Sequence, residues 1–251
     1  MNARLVRAEF RKLGTTQVWF WLLLASIAIT VLAVVGQIAG THDDADLQAH
    51  LRDVLVSAHI AYVAVFVLGV LAVTTEFRYQ TITPTVLGTP SRATIVAAKA
   101  VAYAIAGVGY ALVCLGVELA VALPWLSGRG IHVSLLDQSG AIAAVFGVVW
   151  LMALVGLGAG ALLKNQIVAV SVGLIVLLIL QNLLLPIPGV RHVYPFLPGG
   201  AITAMITRRT GERVVNNVHL LSVAGGAVTL IIWALAMAVI GAGYTMNRDI
   251  T

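Results

Sequence analysis

The chain has 251 residues, 60% of them hydrophobic and 10% charged, with a formal net charge of +5 and a mean hydropathy of +1.00. A soluble domain carries about a quarter charged residues, so this composition excludes a fully water-covered surface and implies lipid over much of the molecule. The length suits a single membrane domain, 1–251, without a large soluble domain beside it. One cysteine, Cys114, sits in an apolar run, which rules out an intramolecular disulfide and gives no metal signature.

In chain order, residues 2–14 read as a basic amphipathic helix. Leu5, Val6, Phe10 and Leu13 recur at helical spacing with Arg4, Arg7, Arg11 and Lys12 between them. Such a helix lies in the membrane interface rather than crossing it. A secretory signal peptide is the competing reading, but the apolar run that follows is too long and shows no small-x-small cleavage site. Six spans are expected, at 17–39, 54–75, 94–123, 141–163, 167–185 and 224–244. Each is near or above the roughly 20 apolar residues that cross a hydrocarbon core about 30 Å thick. Helices are required because an open sheet leaves backbone groups unpaired in lipid, and the dyad alternation of a membrane barrel is absent. The fold class is therefore an all-α membrane protein.

Orientation follows from the basic residues. An N-terminus inside puts nine of the 15 Lys and Arg on the cytoplasmic side: Arg4, Arg7, Arg11 and Lys12; Arg78, Arg92 and Lys99; Lys164; Arg248. The first outer loop carries Asp43, Asp44, Asp46 and Asp53 against Arg52. The positive-inside rule favours this arrangement, with both termini cytoplasmic. The segment 186–223 argues against it through Arg191, Arg208, Arg209 and Arg213. It is long and partly apolar, so its charges weigh less. Pro186, Pro188, Pro195 and Pro198 break it into short apolar pieces. These read either as re-entrant-like helices dipping into the outer interface before the last span or as an ordinary loop with a surface helix. Glycines in spans three, four and six (Gly107 and Gly109; Gly156, Gly158 and Gly160; Gly225 and Gly226) predict close helix contact.

Most chemical signatures are absent. There is no phosphate-binding G-x-x-x-x-G-K-[ST] loop and no H-E-x-x-H, and the six histidines show no ligand spacing. No catalytic, cofactor or metal site is therefore expected, and no nucleic acid as partner. Glu118 is the one acid read as lying inside a span, near the outer end of the third. An intramembrane carboxylate defaults to a functional hypothesis. Here it either reaches the outer interface and pairs with Arg129, or serves a substrate or a proton.

The inner loop between spans two and three, 76–92, is the most informative stretch. Thr83 can cap a helix, Pro84 suits its first position, Gly88 can end it and Pro90 stops any continuation. The result is a short cytoplasmic helix bearing Val86 and Leu87, a knob that a soluble neighbour could receive. A loop that only turns has no need of Phe77, Tyr79, Ile82, Val86 and Leu87 in water.

From Glu76 to Arg92 the pattern E-F-R-x-x-T-I-x-x-T-x-x-x-T-P-x-R resembles the first cytoplasmic loop of ABC-2 type transporter permeases. The arm Ala8-Glu9-Phe10-Arg11-Lys12-Leu13 resembles their start, and the six-span layout matches along nearly the whole chain. Gln80 departs from the glycine common at that place, and Pro84 would stiffen the helix. The resemblance implies a permease subunit of a bacterial ABC exporter in the cytoplasmic membrane. It implies a second permease, in a homo- or heterodimer, and a separate ATP-binding subunit that uses ATP and magnesium. By the same resemblance Glu76, Phe77 and Arg78 end span two and brace the joint, while Thr81, Ile82, Thr83, Pro84, Thr85, Val86 and Leu87 form the coupling helix. The arm braces the loop, and substrate runs between permeases along spans one, two and five. The sequence does not name the cargo; an apolar interface between permeases would suit an amphipathic drug, a lipid or a peptide. The alternative is a stand-alone protein without an ATPase, an ion-coupled transporter or an immunity protein, in which Glu118 carries more weight.

Overall fold

The computed structural model describes residues 3–79, 92–187, 189–207, 214–215 and 218–246. The expected coupling helix, 81–87, lies outside the described residues, as do Arg208, Arg209, Arg213 and Arg248. Among the described residues, six helices are long and apolar enough to cross a membrane.

Helix α1 (Ala3–Thr15) is the basic arm. Helix α2 (Val18–Gly40) is the first long apolar helix. The carbonyls at and just past its end accept from Arg129, far along the chain: Nη1 donates to Ile38 O (3.2 Å) and Thr41 O (2.8 Å), and Nη2 to His42 O (3.0 Å). A cation at a helix C-terminus satisfies acceptors that have no partner within the helix. Asp43 caps the short α3 (Asp44–Ala49) by accepting from the Ala45 N–H at 3.0 Å.

The second apolar helix is interrupted. Helix α4 (Leu51–Leu55) and a 3₁₀ turn (Ser57–Ala61) precede α5 (Tyr62–Arg78). Helix α6 (Arg92–Gly128) is longer than the expected third span and runs through Pro124. Helix α7 (Ser139–Leu163) ends at Lys164, which adopts a left-handed φ of 56°. Asn165 then caps α8 (Gln166–Leu174) by accepting from the Ile167 and Val168 N–H groups. A π-turn (Ile175–Leu180) joins α8 to α9 (Gln181–Leu184) within one apolar helix. A 3₁₀ turn (Arg191–Phe196) and α10 (Pro198–Ile206) follow. A two-residue antiparallel ladder, β1 (Val214–Val215) with β2 (Val218–His219), leads into α11 (Val223–Met246).

The α4–α5 stretch and α7 form the centre of the molecule. They are 67% and 61% buried over their most apolar windows, whereas α2, the α8–α9 helix and α11 are each 17% buried. The three peripheral helices therefore present apolar side chains outward, among them Trp21, Leu32, Ile167, Leu183, Leu235 and Val239. Backbone contact sets the centre. A Cβ on Gly156 would lie 2.1 Å from Phe66 O, and one on Gly69 would lie 2.2 Å from Ala153 O. Only residues without a side chain allow α5 and α7 to approach so closely. Gly107, Gly158 and Gly160 likewise abut neighbouring helices, and Gly226 abuts α10. Gly109 does not: nothing lies within 4 Å of its Cβ position.

Candidate functional site

Four charged side chains meet where the arm crosses the ends of α5 and α6. Helix α1 segregates its faces: Val6, Phe10 and Leu13 pack on the core, and Arg4, Arg7 and Arg11 are exposed. Glu9, by contrast, is turned inward and is 5% exposed. Lys99 emerges from the first turns of α6 and is equally buried, and Glu76 closes the last turn of α5.

The geometry accounts for each charge. Lys99 Nζ donates to Glu9 Oε2 (2.6 Å), Glu76 Oε1 (3.0 Å) and Ala72 O (2.9 Å), which uses all three of its protons. Lys12 Nζ donates to Glu9 Oε1 (2.8 Å) and Glu76 Oε1 (2.6 Å). Two cations and two carboxylates sum to zero, as a cluster withdrawn from water requires. Burial pushes the Glu9 carboxyl up, but the Lys99 charge and the hydrogen bonds from Lys12 and Lys99 outweigh it, so its pKa lies below the ordinary value. Burial lowers the Lys12 ammonium, and the hydrogen bonds it donates to Glu76 and Glu9 reverse this, leaving its pKa above the ordinary value. Leu13, Trp19 and Thr75 line a small cavity beside the cluster.

Further contacts surround the same corner. Lys164 Nζ lies over the Phe77 ring at 5.7 Å, and Arg78 Nη1 donates to Gln166 Oε1 at 3.1 Å. The end of α5 is thus tied to the α7–α8 turn as well as to the arm. Both chain segments that flank residues 80–91 are held: Glu76 and Arg78 before them, Lys99 after them. Of the expected loop residues, Glu76, Phe77 and Arg78 belong to this junction.

Two expectations about acids are corrected. Glu118 is not alone among acids in the apolar helices, since Glu76 also lies within one and is buried. Nor does Glu118 reach the surface or pair with Arg129. It is 1% exposed and accepts from the Ala58 N–H at 3.0 Å, with Ser57 Oγ at 3.4 Å. Arg129 pairs instead with Asp44, Nε to Oδ1 at 2.6 Å, because the C-terminal carbonyls of α2 draw it there. The partners of Glu76 were missed in the sequence, although a signal existed. A lone acid in a basic arm and a lysine inside an apolar helix each need an opposite charge if buried.

Among the described residues no group of three or more His, Cys, Asp or Glu could hold a metal ion. Comparison with family models, with curated proteins and with solved structures yields no match to this chain.

Proposed function

We propose that the chain is the membrane-spanning permease subunit of an ATP-driven exporter, energised by a separate ATP-binding subunit through the segment 76–92. The observation that carries the reading is the charged junction. The arm, the end of α5 and the start of α6 meet in one partly buried ion cluster, on the helices that flank the loop whose sequence resembles the coupling loop of ABC-2 type permeases. A loop that transmits motion must be joined rigidly to the helices it moves, and buried multidentate ion pairs supply such a joint.

Within this reading the arm lies along the cytoplasmic face of the membrane, both termini are cytoplasmic, and α10 dips into the outer leaflet. Pro198 at the first turn of α10 and its packing on α7 and α11 support that last placement. The sparsely buried α2 and α8–α9 are the surfaces that meet a second permease and border the cargo path. Their apolar side chains suit an amphipathic drug, a lipid or a peptide. Hydrolysis belongs to the partner chain, since this sequence has no phosphate-binding loop.

The test is Leu87→Asp. Only a few anchors in an interface exceed about 2 kcal/mol on truncation, and a charge at an apolar knob removes one. The substitution lowers the amount of ATP-binding subunit that copurifies, or uncouples its hydrolysis from transport, while the yield of folded permease stays unchanged. Normal assembly and normal coupled transport would remove 81–87 as the coupling element.

A further inference from the structure

Glu118 plays no part in the charged junction. It sits where α6 passes the interruption of the second apolar helix, and it bonds to that interruption alone. Its Oε1 accepts from the Ala58 N–H, one of the donors left without a helical partner at the 3₁₀ turn Ser57–Ala61. The contact with Ser57 adds little. Ser57 has one hydroxyl proton, and its shorter bond, 2.7 Å to Val54 O, takes it. The remaining 3.4 Å approach to Glu118 therefore lacks a proton of its own. The second oxygen, Oε2, is fully buried and has no hydrogen-bond partner.

The surroundings offer no compensation to that oxygen. One turn earlier on α6 stands the buried thiol of Cys114, beside the buried Thr30 of α2. The 3₁₀ turn contributes His59, whose Nδ1 is engaged with Val56 O at 2.6 Å and whose ring stacks on Tyr62. Helix α4 carries Arg52 and Asp53, and α7 has no charged residue. A carboxylate in such a place would have one firm hydrogen bond for two oxygens. An ionised group so poorly solvated in an apolar interior takes up a proton rather than remain charged.

We propose that Glu118 is a proton-binding site of the membrane domain: a neutral carboxylic acid that holds the interrupted second helix closed and releases its proton when the interruption opens. The protonated form fits the closed arrangement, and the ionised form requires water or a cation. By linkage, the closed state binds the proton more tightly, so raising the pH shifts the population toward the open state. The proposal does not rest on the exporter reading, and a protein without any ATP-binding partner would keep it intact.

The experiment uses the full chain in lipid nanodiscs. Infrared spectroscopy at neutral pH reads the carbonyl stretch of protonated carboxylic acids in wild type and in Glu118→Gln. The expected result is a band present in wild type and absent in the variant. Hydrogen exchange is then followed across residues 54–62 over a pH series, each variant being corrected for intrinsic rates. Wild type loses protection there as pH rises, whereas Glu118→Gln, which mimics the neutral acid, stays protected throughout. Absence of a Glu118-dependent band, or identical pH profiles in the two proteins, overturns the proposal. Failure of Glu118→Gln to fold does so as well, because a neutral acid tolerates its amide analogue. The wild-type band alone, titrated with pH, provides a reading that needs no variant.

Discussion

At the scale of single residues, Lys99 is the side chain on which the charged junction turns. It alone joins Glu9, Glu76 and a backbone carbonyl, and it is 5% exposed. Replacing it with the isosteric but uncharged Met leaves two buried carboxylates facing Lys12 only. Loss of one partner from a buried ion group costs about 3–5 kcal/mol, so Lys99→Met in detergent unfolds at a clearly lower temperature than wild type. The double variant Lys99→Met with Glu9→Gln recovers part of that loss, because it removes the stranded charge. Thermal unfolding of the four proteins of the cycle checks this; strict additivity would show that the two residues do not interact.

The same cluster sets a pH window for docking of the arm. Glu9 has a pKa below its ordinary 4.5, so its stabilisation is present above 4.5 and is lost as pH falls through the lower folded value. Lys12 has a pKa above its ordinary 10.5, so its stabilisation is present below 10.5 and is lost as pH rises through the higher folded value. A spin label on Arg7 should therefore show constant, restricted mobility between these limits and greater mobility beyond either. Mobility that changes near neutral pH would mean that neither group governs the arm.

At the scale of elements, α5 against α7 is the decisive contact. Overpacking a core costs about 1–3 kcal/mol where side chains can yield. At Gly156 the obstacle is the Phe66 backbone, which cannot rotate away. Gly156→Val thus destabilises the protein at or above the upper end of that range. Gly109→Ala, with open space around it, leaves stability unchanged or raises it slightly. Unfolding temperatures that ranked the two substitutions the other way would contradict the packing described.

The long helices were legible in the sequence because lipid-length apolar runs have a single structural solution. The glycines of the fourth span announced close packing in the same way, whereas Gly69, its counterpart on α5, went unread. The interruption at 57–61 and the π-turn at 175–180 were invisible. Both lie in uniformly apolar stretches, Ser57 and His59 apart, and neither contains a proline or glycine that breaks helices. The expected third span ends at residue 123, yet α6 continues through Pro124 to Gly128. Of the junction, Glu76 was legible from the loop. Its partners Lys12 and Lys99 were not, since Lys12 lies 64 residues away and meets Glu76 only once the arm folds back across α6. Arg129 escaped its expected partner for a related reason: its true acceptors, the carbonyls at and just past the end of α2, are backbone atoms that no residue type reveals.

At the scale of the whole molecule, two well-buried helical stretches form a centre and three sparsely buried helices wrap it. That distribution leaves broad apolar faces turned outward, and the junction of Glu9, Lys12, Glu76 and Lys99 ties together the helices that flank residues 80–91 in sequence. On the proposed function, this chain supplies the path and another polypeptide supplies the energy. The most direct measurement is ATP hydrolysis by the tagged chain purified from its native membrane under mild detergent. The expected result is an ATP-binding polypeptide in fixed ratio to this chain and hydrolysis that disappears when that polypeptide is stripped away. A chain that purifies alone, shows no associated hydrolysis and still moves its cargo in vesicles without ATP would contradict it.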